Sequence, residues 1–120
     1  MRLPLLLTLS AALFLPACNE EEEDDEGGNV DSARVDAILA LTGDASAGQT
    51  IYARCSVSSC HGTDGNSGPA GTPALADEVP EQSDEQLVQI VLGGYGSMPA
   101  QPMEDQDMAN VLAYLRDTFE

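Results

Sequence analysis

The chain has 120 residues and a formal net charge of −17, because 21 acidic residues face only four arginines and no lysine. This length allows one small domain, and the acidic excess argues against nucleic acid or an anionic surface as a partner. With no tryptophan and 4% aromatic residues, such a domain commonly needs a prosthetic group, a metal or a disulfide to complete its core. The charge favours a basic protein as partner.

Residues 1–17 have the pattern of a signal peptide. Arg2 precedes an apolar stretch that is too short for a membrane span. The sequence LPAC at 15–18 resembles the lipobox of bacterial lipoproteins, whose cysteine is diacylated and becomes the first residue of the mature chain. The resemblance implies lipidation of Cys18 and a place on the periplasmic side of a bacterial membrane. An ordinary secretory signal, cleaved nearby, is the alternative, and it leaves Cys18 as an odd thiol.

Residues 18–30 are predicted to form an acidic linker, since the run from Glu20 to Glu26 repels itself into an extended chain. Residues 31–42 carry apolar side chains at helical spacing. This pattern suits either a short helix or an extended approach to the domain, and both remain open. We expect the folded domain to span residues 43–120.

The folded domain begins with a predicted helix through ASAGQTIYAR, capped by Asp44, so that Cys55 falls at its C-terminal end. The next segment, residues 61–80, has too many glycines and prolines for a regular element. We predict a long ordered loop there, and long ordered loops in small domains usually serve a function.

Two further helices complete the domain. Ser83 and Gln86 match a capping box, which starts a helix that Gly93 and Gly94 stop. The buried residues expected on this helix are Leu87, Val88, Ile90 and Val91. A last amphipathic helix is predicted from about Asp105 to Phe119, with apolar residues at spacings of three and four: Met108, Val111, Leu112, Leu115 and Phe119. Because no segment shows a β-strand pattern, the predicted fold class is all-α.

Cys55, Cys60 and His61 place two cysteines and the only histidine within seven positions. The usual signature of covalent haem attachment is C-x-x-C-H, which this C-x4-C-H spacing fits only with an adjustment. A structural zinc site needs four ligands and lacks one here. A disulfide between the two cysteines leaves the histidine and the glycine-rich loop unexplained. A cysteine nucleophile with an adjacent histidine base is weaker still, because neighbours in the chain rarely point into one site.

The order of motifs across residues 43–120 resembles class I cytochromes c. GDASAGQTIYARC is similar to the first helix of that family, CHG to its attachment site, GTPAL to its proximal loop, GGYGSMP to its distal loop and VLAYLRDTF to its final helix. The resemblance implies a small all-α domain wrapped around one covalently bound haem c. It also implies that Gly48, Tyr52 and Tyr114 form the close crossing of the first and last helices.

The resemblance assigns roles to individual residues. His61 is the implied proximal iron ligand, Met98 the distal ligand, and Cys60 forms a thioether to a haem vinyl group. Pro73 matches the proline whose carbonyl accepts the Nδ1 proton of the ligating histidine, and Pro69 is the alternative.

The first cysteine departs from the family pattern, since the family position for it is occupied by Val57, which cannot form a thioether. Either the two extra residues bulge so that Cys55 reaches its vinyl group, or haem is attached through Cys60 alone and Cys55 stays free. We favour the first, because a free exported thiol is prone to oxidation.

Three methionines compete for the distal position. Met108 lies on the apolar face of the last helix and is predicted to be core, and Met103 occupies a packing position just before that helix. Met98 is preferred as ligand because it lies in an irregular glycine-rich loop before Pro99, where a packing role is less natural.

The predicted function is electron transfer by a lipid-anchored monomer. A neutral imidazole and a neutral thioether fill both axial positions of the iron and favour its reduced state, which suits a carrier and leaves no site for a substrate. The implied redox partner is a protein with a basic docking face. A small peroxidase-like enzyme or gas sensor, with an open sixth position, is the first alternative. A disulfide-held binding module without haem is the second.

Overall fold

The computed structural model describes residues 29–55 and 60–120, except for the side chain of Cys55. The elements are α1 (Ser32–Leu39), α2 (Ala45–Cys55), α3 (Leu75–Glu78), a 3₁₀ turn (Val79–Glu81), α4 (Asp84–Gly93) and α5 (Asp105–Phe119). Within the described residues the only β-type pairing is an isolated bridge, so the all-α prediction is confirmed. The predicted signal peptide, Cys18 and the acidic run lie outside the described residues. None of the described helices is long and apolar enough to cross a membrane.

The crossing of α2 and α5 is the centre of the fold. A Cβ atom on Gly48 would collide with the backbone carbonyl of Asn110 and lie 2.8 Å from Cβ of Tyr114, so the two helices touch backbone to backbone. The rings of Tyr52 and Tyr114 pack beside this contact at an interplanar angle of 43°, with centroids 5.2 Å apart. Asn110 is buried, and its side-chain oxygen accepts hydrogen bonds from Asp44 N and Gln106 Nε2. The buried amide oxygen is therefore satisfied, and it fixes the start of α2 on α5.

Local capping chemistry sets the helix boundaries as predicted. The side chain of Asp44 accepts a hydrogen bond from Ala47 N at 2.8 Å. Ser83 and Gln86 form the reciprocal capping box at the start of α4. On α4, Leu87 and Val88 are buried as expected, whereas Ile90 and Val91 are only half-buried and Leu92 is the third buried residue. The predicted apolar face of α5 is buried along its whole length.

The segment before the predicted domain is a helix, which decides the question that the sequence left open. Asp31 caps α1 by accepting hydrogen bonds from two backbone N–H groups of the first turn. Val35 and Ile38 are buried at 3% and 1% exposure and belong to the same core as α4 and α5. Because an isolated eight-residue helix is marginal in water, this burial is what stabilises α1.

The segment 61–80 is only partly irregular, which corrects the prediction of a loop without regular elements. It contains α3 and part of the 3₁₀ turn. Asp77 and Glu78 favour the first helical turn electrostatically, and Pro80 fits an early position of the 3₁₀ turn because it needs no N–H partner there. Residues 61–74 do form the predicted ordered loop.

Candidate haem-binding site

His61 is held by the carbonyl group of Pro73, with 3.0 Å between its Nδ1 atom and the oxygen. A carbonyl oxygen only accepts hydrogen bonds, so Nδ1 carries a proton, and in the neutral imidazole the lone pair is then on Nε2. Among the described residues Nε2 has no hydrogen-bond partner. The imidazole is thus oriented as a metal ligand. The carbonyl of Pro69, the other candidate, accepts a hydrogen bond from Thr72 N instead.

The loop after His61 folds back onto the attachment segment. Ser67 N donates to the carbonyl of His61 at 3.2 Å, and a Cβ atom on Gly68 would collide with the carbonyl of Cys60. The side chain of Asp64 accepts hydrogen bonds from Ser67 Oγ and Asn66 N, which lower the pKa of its carboxyl group. The loop therefore packs against the very residues that carry the predicted attachment.

Tyr52 connects this loop to the helix crossing. Its hydroxyl group donates a hydrogen bond of 3.0 Å to the carbonyl of Gly62, the residue after His61. Burial of this hydroxyl group is the main cause that raises the pKa of Tyr52 to about 12, and the neighbouring Tyr114 is the second. The sequence predicted Tyr52 as a residue of the helix crossing but not as an anchor of the proximal loop. Its position three residues before Cys55 was the available signal.

Met98 lies on a tight hairpin between α4 and α5. Tyr95 and Met98 exchange two backbone hydrogen bonds, of 3.0 and 2.8 Å, around the two residues Gly96 and Ser97. Gly96 has φ of +53°. A two-residue hairpin needs a positive φ at this position, and glycine adopts it without strain. After the hairpin, Gln101 N donates to the carbonyl of Val91 at 2.8 Å and returns the chain to the end of α4.

The environments of the three methionines differ. Met108 is fully buried in the core, and Met103 is half-buried against it, which confirms both packing predictions. Met98 is also half-buried but does not belong to the core cluster or to the residues packed on it. Of the three, Met98 therefore has the side chain with no packing assignment in the described fold.

A cavity of about 510 Å³ lies between α2 and the segment that leads into α5. Its lining residues are Ile51, Arg54, Gln101, Pro102, Met103, Glu104 and Asp107. Cys55 follows Arg54 directly in the chain, and the second half of the lining begins three residues after Met98. His61 and Met98 are not part of the lining.

The described residues fit a covalently bound haem. The imidazole of His61 is oriented with Nε2 available, and Cys60 precedes it as a half-buried thiol. Within the described part of the chain, which excludes the side chain of Cys55, no cluster of three or more potential metal-binding side chains (His, Cys, Asp or Glu) occurs. The backbone of Cys55 ends α2, whereas its side chain, Val57 and the proposed bulge lie outside the described residues.

Residues 43–115 match the family model described as Cytochrome C oxidase, cbb3-type, subunit III. No curated protein and no solved structure matches the chain significantly. The matched region covers more than half of the chain. It begins at Gly43, ends at Leu115 in α5 and leaves out α1. A cytochrome c domain implies a covalently bound c-type haem and electron transfer, and it fits a carrier rather than an enzyme. The helical fold and the match together show that the chain belongs to the family of cbb3-type cytochrome c oxidase subunit III, as a c-type cytochrome.

Proposed function

We propose that the protein is a class I monohaem cytochrome that carries one electron, with His61 and Met98 as axial ligands. The observation that carries this proposal is the hydrogen bond between His61 Nδ1 and the carbonyl of Pro73. A hydrogen bond at the second nitrogen fixes the tautomer and the ring plane of a ligating histidine and makes it a better donor.

Electron transfer suits both proposed iron ligands, His61 and Met98. The haem supplies the one-electron redox couple when bound. His61 is held by a hydrogen bond to Pro73 in the following loop. Met98 is held by a hairpin in which its backbone exchanges two hydrogen bonds with Tyr95. Two rigidly held neutral ligands require little rearrangement between the oxidation states, and a thioether favours the reduced state. With both positions filled, the chain offers no open site for a substrate.

We propose that both Cys55 and Cys60 form thioethers to the haem. Cys55 ends α2 and Cys60 directly precedes His61, so the two cysteines flank the short segment 56–59. The bulge of two extra residues in this C-x4-C-H variant is the means by which Cys55 would reach its vinyl group.

We further propose that the exported protein is held at the periplasmic side of a membrane by a lipid on Cys18. The net charge of −17 supports a redox partner with a basic docking face, and the protein is expected to be a monomer. Two acyl chains are needed for stable anchoring, because a single chain binds membranes only reversibly. Replacing Cys18 with Ser should release the protein from the membrane fraction without loss of haem.

A visible spectrum of the purified exported protein tests the main proposal. The reduced-minus-oxidised spectrum should show c-type bands, and the haem should resist extraction with acid acetone. Ready binding of carbon monoxide by the reduced parent at neutral pH would favour the alternative of an enzyme or gas sensor with an open sixth position. Alkylation of Cys55 in the unfolded holoprotein would leave the carrier proposal standing and refute the second thioether.

A further inference from the structure

The distal loop, residues 94–104, is held in place by contacts from α1. This helix lies outside the matched family region. Arg34 on α1 donates from Nη2 to the carbonyl of Met103 at 2.8 Å and from Nε to Asp105 Oδ1 at 2.9 Å. Its two acceptors mark the point where the distal loop becomes α5. They are 69 and 71 positions away in the chain. One guanidinium group thus fixes the exit of the loop that carries Met98.

The same part of the chain is also fixed to the helix that leads into the distal loop. Val30 and the side chain of Gln89 on α4 exchange two hydrogen bonds, of 2.9 and 2.8 Å. Val30 lies just before α1 and Arg34 lies in its first turn, so these two anchors are four positions apart in the chain. The segment from Val30 to Arg34 therefore spans the two sides of the loop, with α4 at the entry and the start of α5 at the exit.

We propose that Arg34 is a positioning residue for Met98. The inference rests on the proposed function, in which Met98 is the distal ligand. Dissociation of a methionine ligand requires its loop to move away from the iron, and the anchors of the loop oppose that motion. Within the described residues the exit side of the loop has one backbone anchor, the bond from Gln101 N to Val91 O, and the two bonds from Arg34. Removing Arg34 leaves only the first of these hydrogen bonds, together with the packing of the Met103 side chain on the core.

The size of the effect follows from the exposure of the contact. The Arg34 side chain is 41% exposed and that of Asp105 is 44% exposed, so the ion pair itself contributes little. The bond to the Met103 carbonyl is the stronger part, because it is charge-assisted and partly buried. We expect its loss to favour the open loop by about threefold to tenfold.

Arg116 provides a matched control. It also joins α5 to another element by hydrogen bonds to two backbone carbonyls, those of Val79 and Gln82, and to one carboxylate, that of Asp84. These contacts lie at the opposite end of α5 from the distal loop. Its removal should therefore destabilise the fold without affecting Met98.

The experiment measures imidazole binding to the oxidised holoprotein, because imidazole enters only when the methionine leaves the iron. Arg34→Gln should tighten binding about threefold to tenfold, and Arg34→Lys, which keeps the charge but not the forked geometry, should give a smaller increase. Arg116→Gln should lower the urea midpoint and leave the imidazole affinity near that of the parent.

Two results would overturn the inference: unchanged imidazole affinity in the Arg34 variants, or an equal increase in Arg116→Gln, which would indicate general loosening. If Arg34→Gln does not fold, Arg34→Lys alone decides by the same measure. Failure of the proposed function is distinguishable, because the parent itself would then lack the near-infrared band of methionine-ligated haem.

Discussion

The proximal and distal parts of the candidate site are held in different ways. The proximal segment, residues 60–75, is fixed by nearby residues: His61 contacts Pro73 twelve positions away, and Tyr52 contacts Gly62 ten positions away. The distal segment, residues 94–104, has a local hairpin at its tip, but its exit is held by Arg34 from about 70 positions away.

This difference separates residues that hold the haem from residues that set how firmly the sixth ligand binds. A proximal segment that is fixed by its own neighbours keeps its geometry wherever α2 and the following loop are formed. A distal segment that depends on a remote helix reaches its final geometry only when the whole domain has folded. Substitutions in the proximal part should therefore decide whether haem is held at all. Substitutions in the distal part should change how firmly the sixth ligand is bound.

The largest effect is expected from Cys60→Ala. Loss of the thioether next to His61 should abolish covalent haem, and the small apoprotein should fail to accumulate, because its core lacks the cofactor. Haem staining of denaturing gels, with antibody detection of the chain, measures both. Cys18→Ser is the control, which should keep its haem. Normal haem content in Cys60→Ala would contradict the proposed attachment.

A substantial loss of stability is expected from Gly48→Ala. This substitution tests the crossing of α2 and α5. The new methyl group would collide with the carbonyl of Asn110, a backbone atom that cannot turn aside. The free energy of unfolding of the holoprotein should fall by about 3 kcal/mol, as measured by urea denaturation. A loss below about 1 kcal/mol would mean that the helices are farther apart than described.

A matched pair of glycines tests the comparison itself. Gly71 in the proximal segment and Gly96 in the distal hairpin both have positive φ, of +90° and +53°, and a Cβ atom on either would meet no atom within 4 Å. Alanine at either position should cost about 1 to 2 kcal/mol of stability through backbone strain alone. Only Gly96→Ala should also tighten imidazole binding. Equal imidazole affinities in the two variants would remove the distinction between the segments.

The smallest effect concerns alkaline pH and Tyr52. Because folding raises the pKa of its hydroxyl group from 10.0 to about 12, the folded state favours the protonated form. The stabilisation is fully present below about pH 10 and is lost as the pH rises towards about 12. Titration of ¹³C-labelled tyrosine by NMR should show a signal with a pKa of about 12, and this signal should vanish in Tyr52→Phe. The absence of any such signal in the parent would contradict the described burial of Tyr52.

The sequence was sufficient for features that depend on local chemistry. The capping box of Ser83 and Gln86, the cap at Asp44 and the apolar period of α5 involve residues within a few positions of each other, and all three are present. The four residues of α3 were missed because so short a helix shows no period. The conformation of α1 remained open because its stability comes from burial of Val35 and Ile38 against remote helices.

The candidate site was predictable to a similar extent. The order of motifs pointed to His61 and favoured Pro73 over Pro69, and in the structure the carbonyl of Pro73 contacts the imidazole while that of Pro69 accepts a hydrogen bond from Thr72 N. The bonds of Arg34 could not be predicted, since a pair 71 positions apart leaves no periodic pattern. Its one available signal was the rarity of positive charge in the chain.

The central claim, a carrier with methionine as sixth ligand, is tested most directly by the near-infrared spectrum of the oxidised holoprotein. The parent should show the weak charge-transfer band of methionine-ligated low-spin haem. Met98→Ala should abolish this band and lower the reduction potential while haem stays covalently attached. Met103→Leu should keep the band, because Met103 packs against the core. Loss of the band in Met103→Leu but not in Met98→Ala would contradict the ligand assignment. A high-spin parent without the band would contradict the carrier itself.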